Sequence, residues 1–351
     1  AVQIRPWAHS QKSPVFAQGF FFGSTLRDPP SMTASLIQIE RALGLGAQIA
    51  REVQGRISLD AIAKLDRSPV TVADLAVQAA VILSLQKDDE GFSIVAEEDL
   101  QQVTGPGGAE ILSEVTRLVQ GVIDGVCEDD VLAALGAGSS DPVATGSYWI
   151  LDPIDGTKGF LRREQYAIAL ARYEGGELTL GGLGCPNLVT PHGVGVFCFA
   201  ARGEGAWCST GPSGSRERLR VSTEAAPSEL TLTESVESGH SSHSWSSRIG
   251  AALQVHRPPL RLDSQCKYAA VALGQADAYL RLPVRPGYRE KVWDHAAGVI
   301  VVEEAGGVVT DINGDPLRFD RGVKLSDNAG TVVTNGLCHE AVLAAIKSTS
   351  P

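Results

Sequence analysis

The stretch WILDPIDGTKGFLRREQYAIALA, residues 149–171, constrains the fold more than any other part of the chain. Trp149, Ile150 and Leu151 form a short apolar run of strand type that ends on two carboxylates, Asp152 and Asp155, separated by Pro153 and Ile154. Pro153 fixes its own φ and disfavours helix at Asp152, so the pair is expected in a tight loop after the strand. Two carboxylates held that close repel each other and resist ionising unless a hard cation lies between them. Mg²⁺ suits such a place, because it takes carboxylate and carbonyl oxygens and keeps waters and room for a phosphate.

The rest of the composition sets limits on that reading. A chain of 351 residues with 43% hydrophobic content can bury one large core or two intimately packed ones. A formal net charge of −11 excludes a general nucleic-acid binder, which needs a broad basic face, but leaves room for a small anionic substrate held by metals and a few local cations. No apolar run reaches the length needed to span a bilayer, so a soluble protein without a membrane partner is expected. The six cysteines show no C-x-x-C pair, which fits reduced thiols in an intracellular protein, cytoplasmic or organellar. Residues 1–30 carry Arg5, Lys12 and Arg27 against Asp28. An organellar targeting remnant, of plastid or mitochondrion, and an ordinary flexible N-terminal extension both fit that segment.

Along the chain, Leu36, Ile39, Leu43, Ala50 and Val53 make one stripe of an amphipathic helix over 34–53. A polar connector ending at Ser68-Pro69 leads to a second helix at about 71–86, where Thr71 and Asp74 read as a capping box. Ser93 to Ala96 reads as a strand that ends on Glu97, Glu98 and Asp99, either a solvated turn or a place to hold a metal. Ile111, Val115, Leu118 and Val122 mark a further helix, and 136–142 reads as loop. Strands are expected at 167–172, 178–183 and 194–200 in an antiparallel sheet, then at 219–222 and 230–234, with a serine-rich loop holding His240 and His243 at 235–247. The remainder alternates as an α/β unit: strand-like 255–262, helix from 265, strand 278–282, helix 294–305, strands 307–310 and 331–334, and a closing helix. Asp294, at the start of its helix, reads as an N-cap. Composition puts an internal boundary at Gly211 to Ser215, giving an N-terminal α+β subdomain over 31–215 and a C-terminal α/β subdomain over 216–351.

Three segments, VAEED (95–99), WILDPIDGTKGF (149–160) and WDHAAGVIVVEEAGG (293–307), resemble in order and spacing the metal-site motifs of the inositol monophosphatase superfamily. SPVTVADLAVQ (68–78), GHSSH (239–243), DSQCKYAAVALG (263–274), YLRLP (279–283) and GYREKVWDH (287–295) are similar to its 3′(2′),5′-bisphosphate nucleotidase branch, with the resemblance running over about 34–345. The resemblance implies an α/β (α+β) fold, a layered αβαβα sandwich of two tightly packed subdomains. It implies Mg²⁺-dependent hydrolysis of the 3′-phosphate of adenosine 3′,5′-bisphosphate by a lithium-sensitive enzyme of sulfur metabolism, and action on the 5′-phosphosulfate analogue. It also implies two or three Mg²⁺ ions. Glu97, Asp152 and the Ile154 carbonyl would hold the first, and Asp152, Asp155 and Asp294 the second. Thr157 would orient the attacking water and Asp74 would accept its proton, shifting Asp74 from cap to base. Backbone N–H groups around Gly156, Thr157 and Lys158 would cradle the scissile phosphate, with His240, Ser264, Lys267 and Arg281 holding the rest of the nucleotide. A monomer acting on a small molecule is expected. The competing expectations are an inositol phosphatase of the same fold and a catalytically silent nucleotide sensor.

Overall fold

Strand β2, Ser147–Asp155, is buried along nearly its whole length, because alternate residues meet a separate core on each face. Trp149 and Leu151 enter one core and Tyr148 and Ile150 the other, which explains an apolar run with no polar alternation. In this computed structural model, described over residues 33–57, 68–89, 91–139, 146–191, 193–211, 214–236, 242–285 and 287–350, β2 is the second strand of a seven-stranded sheet. That sheet runs in chain order: β1 (Ile94–Ala96), β2, β3 (Ala167–Glu174), β4 (Glu177–Thr190), β5 (Gly193–Ala201), β6 (Gly205–Ser209) and β7 (Arg216–Arg218). β1 and β2 are parallel and every later neighbour is antiparallel.

A second sheet of five strands has the order β11 (Val308–Thr310), β12 (Thr331–Thr334), β10 (Ala278–Arg281), β8 (Leu232–Glu234) and β9 (Leu260–Arg261). Helices Ala34–Arg56 and Ser68–Gln86 cover the outer face of the first sheet. Helices Cys266–Ala272 and Ala296–Glu304 fill the middle, sharing one core with the first sheet and with Tyr279, Val309 and Val333 of the second. Helices His243–Ala252 and His339–Thr349 close the far face through Trp245, Ile249, Val342 and Ile346. The order helix, sheet, helix, sheet, helix is the layered sandwich expected, held together by the shared middle core.

Several local expectations are corrected. The aspartate pair does not follow the strand; β2 continues through Asp155, with a register irregularity between Asp152, opposite Ala169, and Asp155, opposite Ala167. Pro153, which has no N–H to give a ladder, falls in that irregularity, and Ile154 turns into the outer core while Asp155 reaches the strand end. Helix Ser68–Gln86 begins before Thr71, so Thr71 and Asp74 lie inside it and form no capping box. Asp294 is not an N-cap either: it ends a 3₁₀ turn, Val292–Asp294, and His295 precedes the helix Ala296–Glu304. Of 255–262 only Leu260–Arg261 pairs in the sheet, and β7 ends at Arg218 before the 219–222 segment, whose Val221 N–H donates instead to Ala305 O at 3.1 Å. The serine-rich segment becomes helical at His243 because Trp245 and Ile249, four apart, bury into the outer core. Helix Glu128–Ala137 and strand β6 have no counterpart in the sequence reading. Residues 1–30, the connector at 58–67 and His240 lie outside the described residues.

The middle layer is tightest where helix Ala296–Glu304 crosses Cys266–Ala272. A Cβ added at Gly298 would sit 2.2 Å from the Tyr268 ring. Alanine would gain about 1 kcal/mol of helix propensity there, but overpacking of this kind costs about 1–3 kcal/mol and the ring is fully enclosed. We therefore expect Gly298→Ala to lower the urea midpoint, measured by far-UV circular dichroism; an unchanged or higher midpoint would contradict this packing.

Candidate active site

The acids of the site come from four chain segments, and two more support them. β2 supplies Asp152, only 1% exposed, and Asp155 at its tip. Gly156 follows with φ 91°, a left-handed turn that aims the chain into the short helix Thr157–Leu161. A Cβ on Gly156 would lie 2.9 Å from the Cβ of Ser264, so this glycine is also required by close approach. Ser264 is itself left-handed, φ 62°, with its hydroxyl donating to Asp263 O at 2.6 Å and accepting from the Cys266 N–H at 3.2 Å. That turn directs the Gln265 N–H onto Asp155 Oδ2 at 2.6 Å, a charge-assisted bond that fixes the carboxylate.

β1 delivers Glu97 to the rim. Its position is set by Gln78, whose amide Nε2 donates to Glu98 O at 2.8 Å and whose Oε1 accepts the Glu98 N–H at 3.1 Å. Gln78 sits one turn after Asp74 on helix Ser68–Gln86, and that helix packs on Thr157–Leu161. Asp74, buried on the helix, and Thr157, exposed at the start of the short helix, therefore belong to the same corner. The 3₁₀ turn brings Asp294 against β2. Arg281 of β10 reaches it at 3.2 Å and binds the buried Glu290 at 2.7 Å. Behind them His295 Nδ1 pairs with the Tyr268 hydroxyl at 2.6 Å, and Gln265 Nε2 donates to Trp293 O at 2.9 Å.

The electrostatics show that the acids converge. Burial, then the charges of Glu97, Asp155, Asp294 and Asp74, push the Asp152 carboxyl well above the ordinary range. Burial, then Glu98 and Glu97, do the same to Asp74. Glu97 keeps much of its surface open to the cleft, yet the protein around it and the charges of Asp294 and Glu98 push it up to about 7. Asp155 is pushed up to about 6 by burial and by Asp294, with Lys267, Arg281 and the Gln265 N–H opposing. Glu290 is the exception: despite burial, His295 and Arg281 hold it down at about 2.

Asp152 Oδ1 is buried without a hydrogen-bond partner. An orphaned carboxylate oxygen among like charges, with an all-oxygen donor set, fits a hard divalent cation. Among the described residues, Glu290, Asp294 and His295 also have potential ligand atoms within 4.8 Å of one another. Arg281 already neutralises Glu290, so that trio reads as a support for Asp294.

The acids named from sequence thus lie near one another, and two of the cations named with them carry qualifications. Lys267 is 3% exposed, its Nζ donating to Leu262 O at 3.2 Å over the Tyr279 ring and lowered by burial to about 8. Arg281 is committed to two acids, although its Nε remains without a partner. Sequence reasoning gave no role to Gln78, Gln265 or Glu290, although Gln78 closes SPVTVADLAVQ and Gln265 lies within DSQCKY. The signal was their place inside a motif.

A layered sandwich with acids gathered at strand ends is the framework of a phosphoric monoester hydrolase. Residues 32–350 match the inositol monophosphatase family, and the chain belongs to that family. Within it, the chain is 40% identical over 336 residues to a 3′(2′),5′-bisphosphate nucleotidase of Oryza sativa, covering 90% of this chain and 94% of that one. It is also 40% identical over 300 residues to the 3′(2′),5′-bisphosphate nucleotidase of Dictyostelium discoideum, covering 83% and 89%. An inositol monophosphatase structure from Zymomonas mobilis shares the fold at 19% identity with a TM-score of 0.60, over 89% of this chain and 97% of that one. CysQ from Bacteroides thetaiotaomicron, a bacterial member of the family, does so at 20% and 0.58, over 86% and 96%. No described helix is long and apolar enough to cross a membrane.

Raised carboxyls make stability depend on pH and on cations. A carboxyl raised on folding favours the folded state while protonated and costs stability once it ionises, so the cation-free site weakens the fold as pH climbs from about 4 through 7. Bound cations reverse that cost. In chelator, the melting temperature of the wild type relative to Asp152→Asn should fall between about pH 5 and 8, and Mg²⁺ should raise the wild-type value more at the higher pH. A Mg²⁺ shift equal at both pH values, or absent, would contradict the site.

Proposed function

We propose that the chain hydrolyses the 3′-phosphate of adenosine 3′,5′-bisphosphate, giving AMP and phosphate, with Mg²⁺ at the acid cluster. The observation that carries this is the buried Asp152, with its orphaned oxygen, at the meeting point of Glu97, Asp155 and Asp294. The nucleotide, as opposed to another phosphomonoester, is supported by similarity to relatives named for that substrate along most of the chain.

In this reading Glu97, Asp152 and the Ile154 carbonyl would hold one Mg²⁺, and Asp152, Asp155 and Asp294 another; a third is compatible with the same oxygens. Such ions supply charge withdrawal from a phosphoryl group and lower the pKa of water. The chain's own residues do the rest. Thr157 orients a water, and Asp74, made more basic by burial beside Glu98 and Glu97, accepts its proton. The water oxygen bonds to phosphorus as the bond to the 3′-oxygen breaks. The N–H groups of Gly156, Thr157 and Lys158, at the turn into the short helix, are suited to the phosphate oxygens. Ser264, Lys267 and Arg281 would form the wall on which the rest of the nucleotide rests, and the resemblance gives His240, outside the described residues, a part in the same contact. Lys267 and Arg281 also oppose the upward push on Asp155, and Arg281 pairs with Asp294 at 3.2 Å.

Phosphate release with Mg²⁺ tests this directly. Adenosine 3′,5′-bisphosphate should give a kcat/KM about tenfold or more above that of inositol 1-phosphate, and Asp152→Asn should lower turnover by about a thousandfold without unfolding the protein. The reverse substrate order would make the chain an inositol phosphatase. Tight nucleotide binding without turnover would make it a sensor.

A further inference from the structure

Gly156, Gly159 and Arg162, spaced three apart, line one side of the short helix Thr157–Leu161 and turn that side toward Asp263 and Ser264. The first two have no side chain, and the seam has no room for one. A Cβ at Gly156 would meet the Ser264 Cβ at 2.9 Å. A Cβ at Gly159 would lie 2.9 Å from Asp263 Oδ2, 3.1 Å from the Asp263 Cβ and 2.2 Å from Gln165 O. Arg162 reaches across the same seam, its Nη2 donating to Asp263 Oδ2 at 2.5 Å. Asp263 is only 4% exposed and the Arg162 side chain 32%, so the pair is less screened by solvent than a surface ion pair. Glu164 Oε2 accepts from Arg162 Nε at 2.6 Å, which holds the guanidinium in line with Asp263.

Each end of the pair adjoins groups of the site. Arg162 closes the helix that begins at Thr157, its backbone N–H donating to Lys158 O at 3.1 Å. Asp263 immediately precedes Ser264 and Gln265, and the Gln265 N–H holds Asp155. Thr157 follows Asp155 through Gly156, whose left-handed turn works as a pivot, so the tilt of the short helix has to be fixed at its far end. Phe160 sets the depth of the helix, fully buried and edge-on to Tyr166 at 5.0 Å, with its carbonyl accepting from Gln54 Nε2 at 2.9 Å. One such anchor leaves the helix free to roll, and the bond from Arg162 to Asp263 stops the roll. We propose that Arg162 and Asp263 are positioning residues for the hydrolysis: their pair sets the tilt of the short helix about Gly156, and so where Thr157 places the attacking water relative to Asp155. This rests on the phosphatase reading above and adds the residues that hold its geometry, whichever phosphomonoester is the substrate.

The test compares Arg162→Met, Asp263→Asn, the double variant and Arg162→Lys, each assayed with Mg²⁺ on adenosine 3′,5′-bisphosphate and on inositol 1-phosphate, with the melting temperature measured alongside. Asp263 also helps keep the buried Lys267 charged, so Arg162→Met, which leaves that carboxylate in place, is the cleaner arm. On the better substrate, Arg162→Met should lower kcat by about tenfold or more and leave KM within about threefold, because a misplaced water costs the transition state more than it costs binding. Asp263→Asn should lower kcat by a similar factor, and the double variant should be no slower than either, as for two residues that act as one unit. Arg162→Lys, which keeps a cation near Asp263, should recover kcat to within about threefold of the wild type. Four results would overturn the positioning role: kcat within about twofold of wild type in the single variants, losses that multiply in the double variant, a lysine no better than methionine, or a raised KM with kcat kept. So would a loss of rate that only follows the unfolded fraction given by the melting curve. The wild type carries a separate check. A preference for inositol 1-phosphate would remove the nucleotide reading, and the variants then decide the pair on that substrate, whereas turnover of neither compound would remove both.

Discussion

Mutual repulsion among buried carboxylates is the constraint on which the rest of the site depends. Asp152 sits at the end of a strand packed on both faces, and Glu97, Asp155, Asp294 and Asp74 all raise its cost of ionising. Left to themselves, such groups would swing apart or stay protonated. Here Asp155, Glu97 and Asp294 are placed by neighbours that cannot yield easily. The backbone N–H of Gln265 grips Asp155, the Gln78 amide grips the backbone at Glu98, and Arg281, backed by Glu290, grips Asp294. The fold therefore stores unfavourable charge in a fixed geometry, which is what a cation site must do before its ion arrives.

The layering explains why those supports are rigid. Helices Cys266–Ala272 and Ala296–Glu304 lie between two sheets, so the turns before them, at Ser264 and at Val292–Asp294, are fixed by cores on both sides. Gln265 ties the two together, donating to Trp293 O and accepting the Gly298 N–H at 3.2 Å. Small residues make such contacts possible. Gly156 lets Ser264 approach the end of β2, and Gly298 lets the Tyr268 ring lie against the helix while its hydroxyl holds His295. Disturbing the middle layer would reach the acids without touching one.

Much of this was legible in the chain, and the failures have physical causes. The strand ending on Asp152 was readable because Pro153 and the apolar run before it are local signals. That the strand continues through Asp155 was not, since the irregularity depends on pairing with Ala167 and Ala169. Thr71 and Asp74 look like a cap in a short window, and only the burial of Asp74 beside Glu97 shows that the helix has already begun. Lys267 and Arg281 were readable as cations near the substrate, but not as cations committed to Leu262 O, Glu290 and Asp294, because burial and ion pairing are tertiary facts.

The claim that these acids are gathered for cations is tested most directly by anomalous diffraction from crystals soaked in Mn²⁺, a probe with the oxygen preference of Mg²⁺. The account predicts peaks bounded by Glu97, Asp152, Asp155 and Asp294, with Asp152 contacting more than one ion, and their loss in Asp152→Asn. Absence of any peak among those four residues, or a peak only at Glu290 and His295, would contradict it.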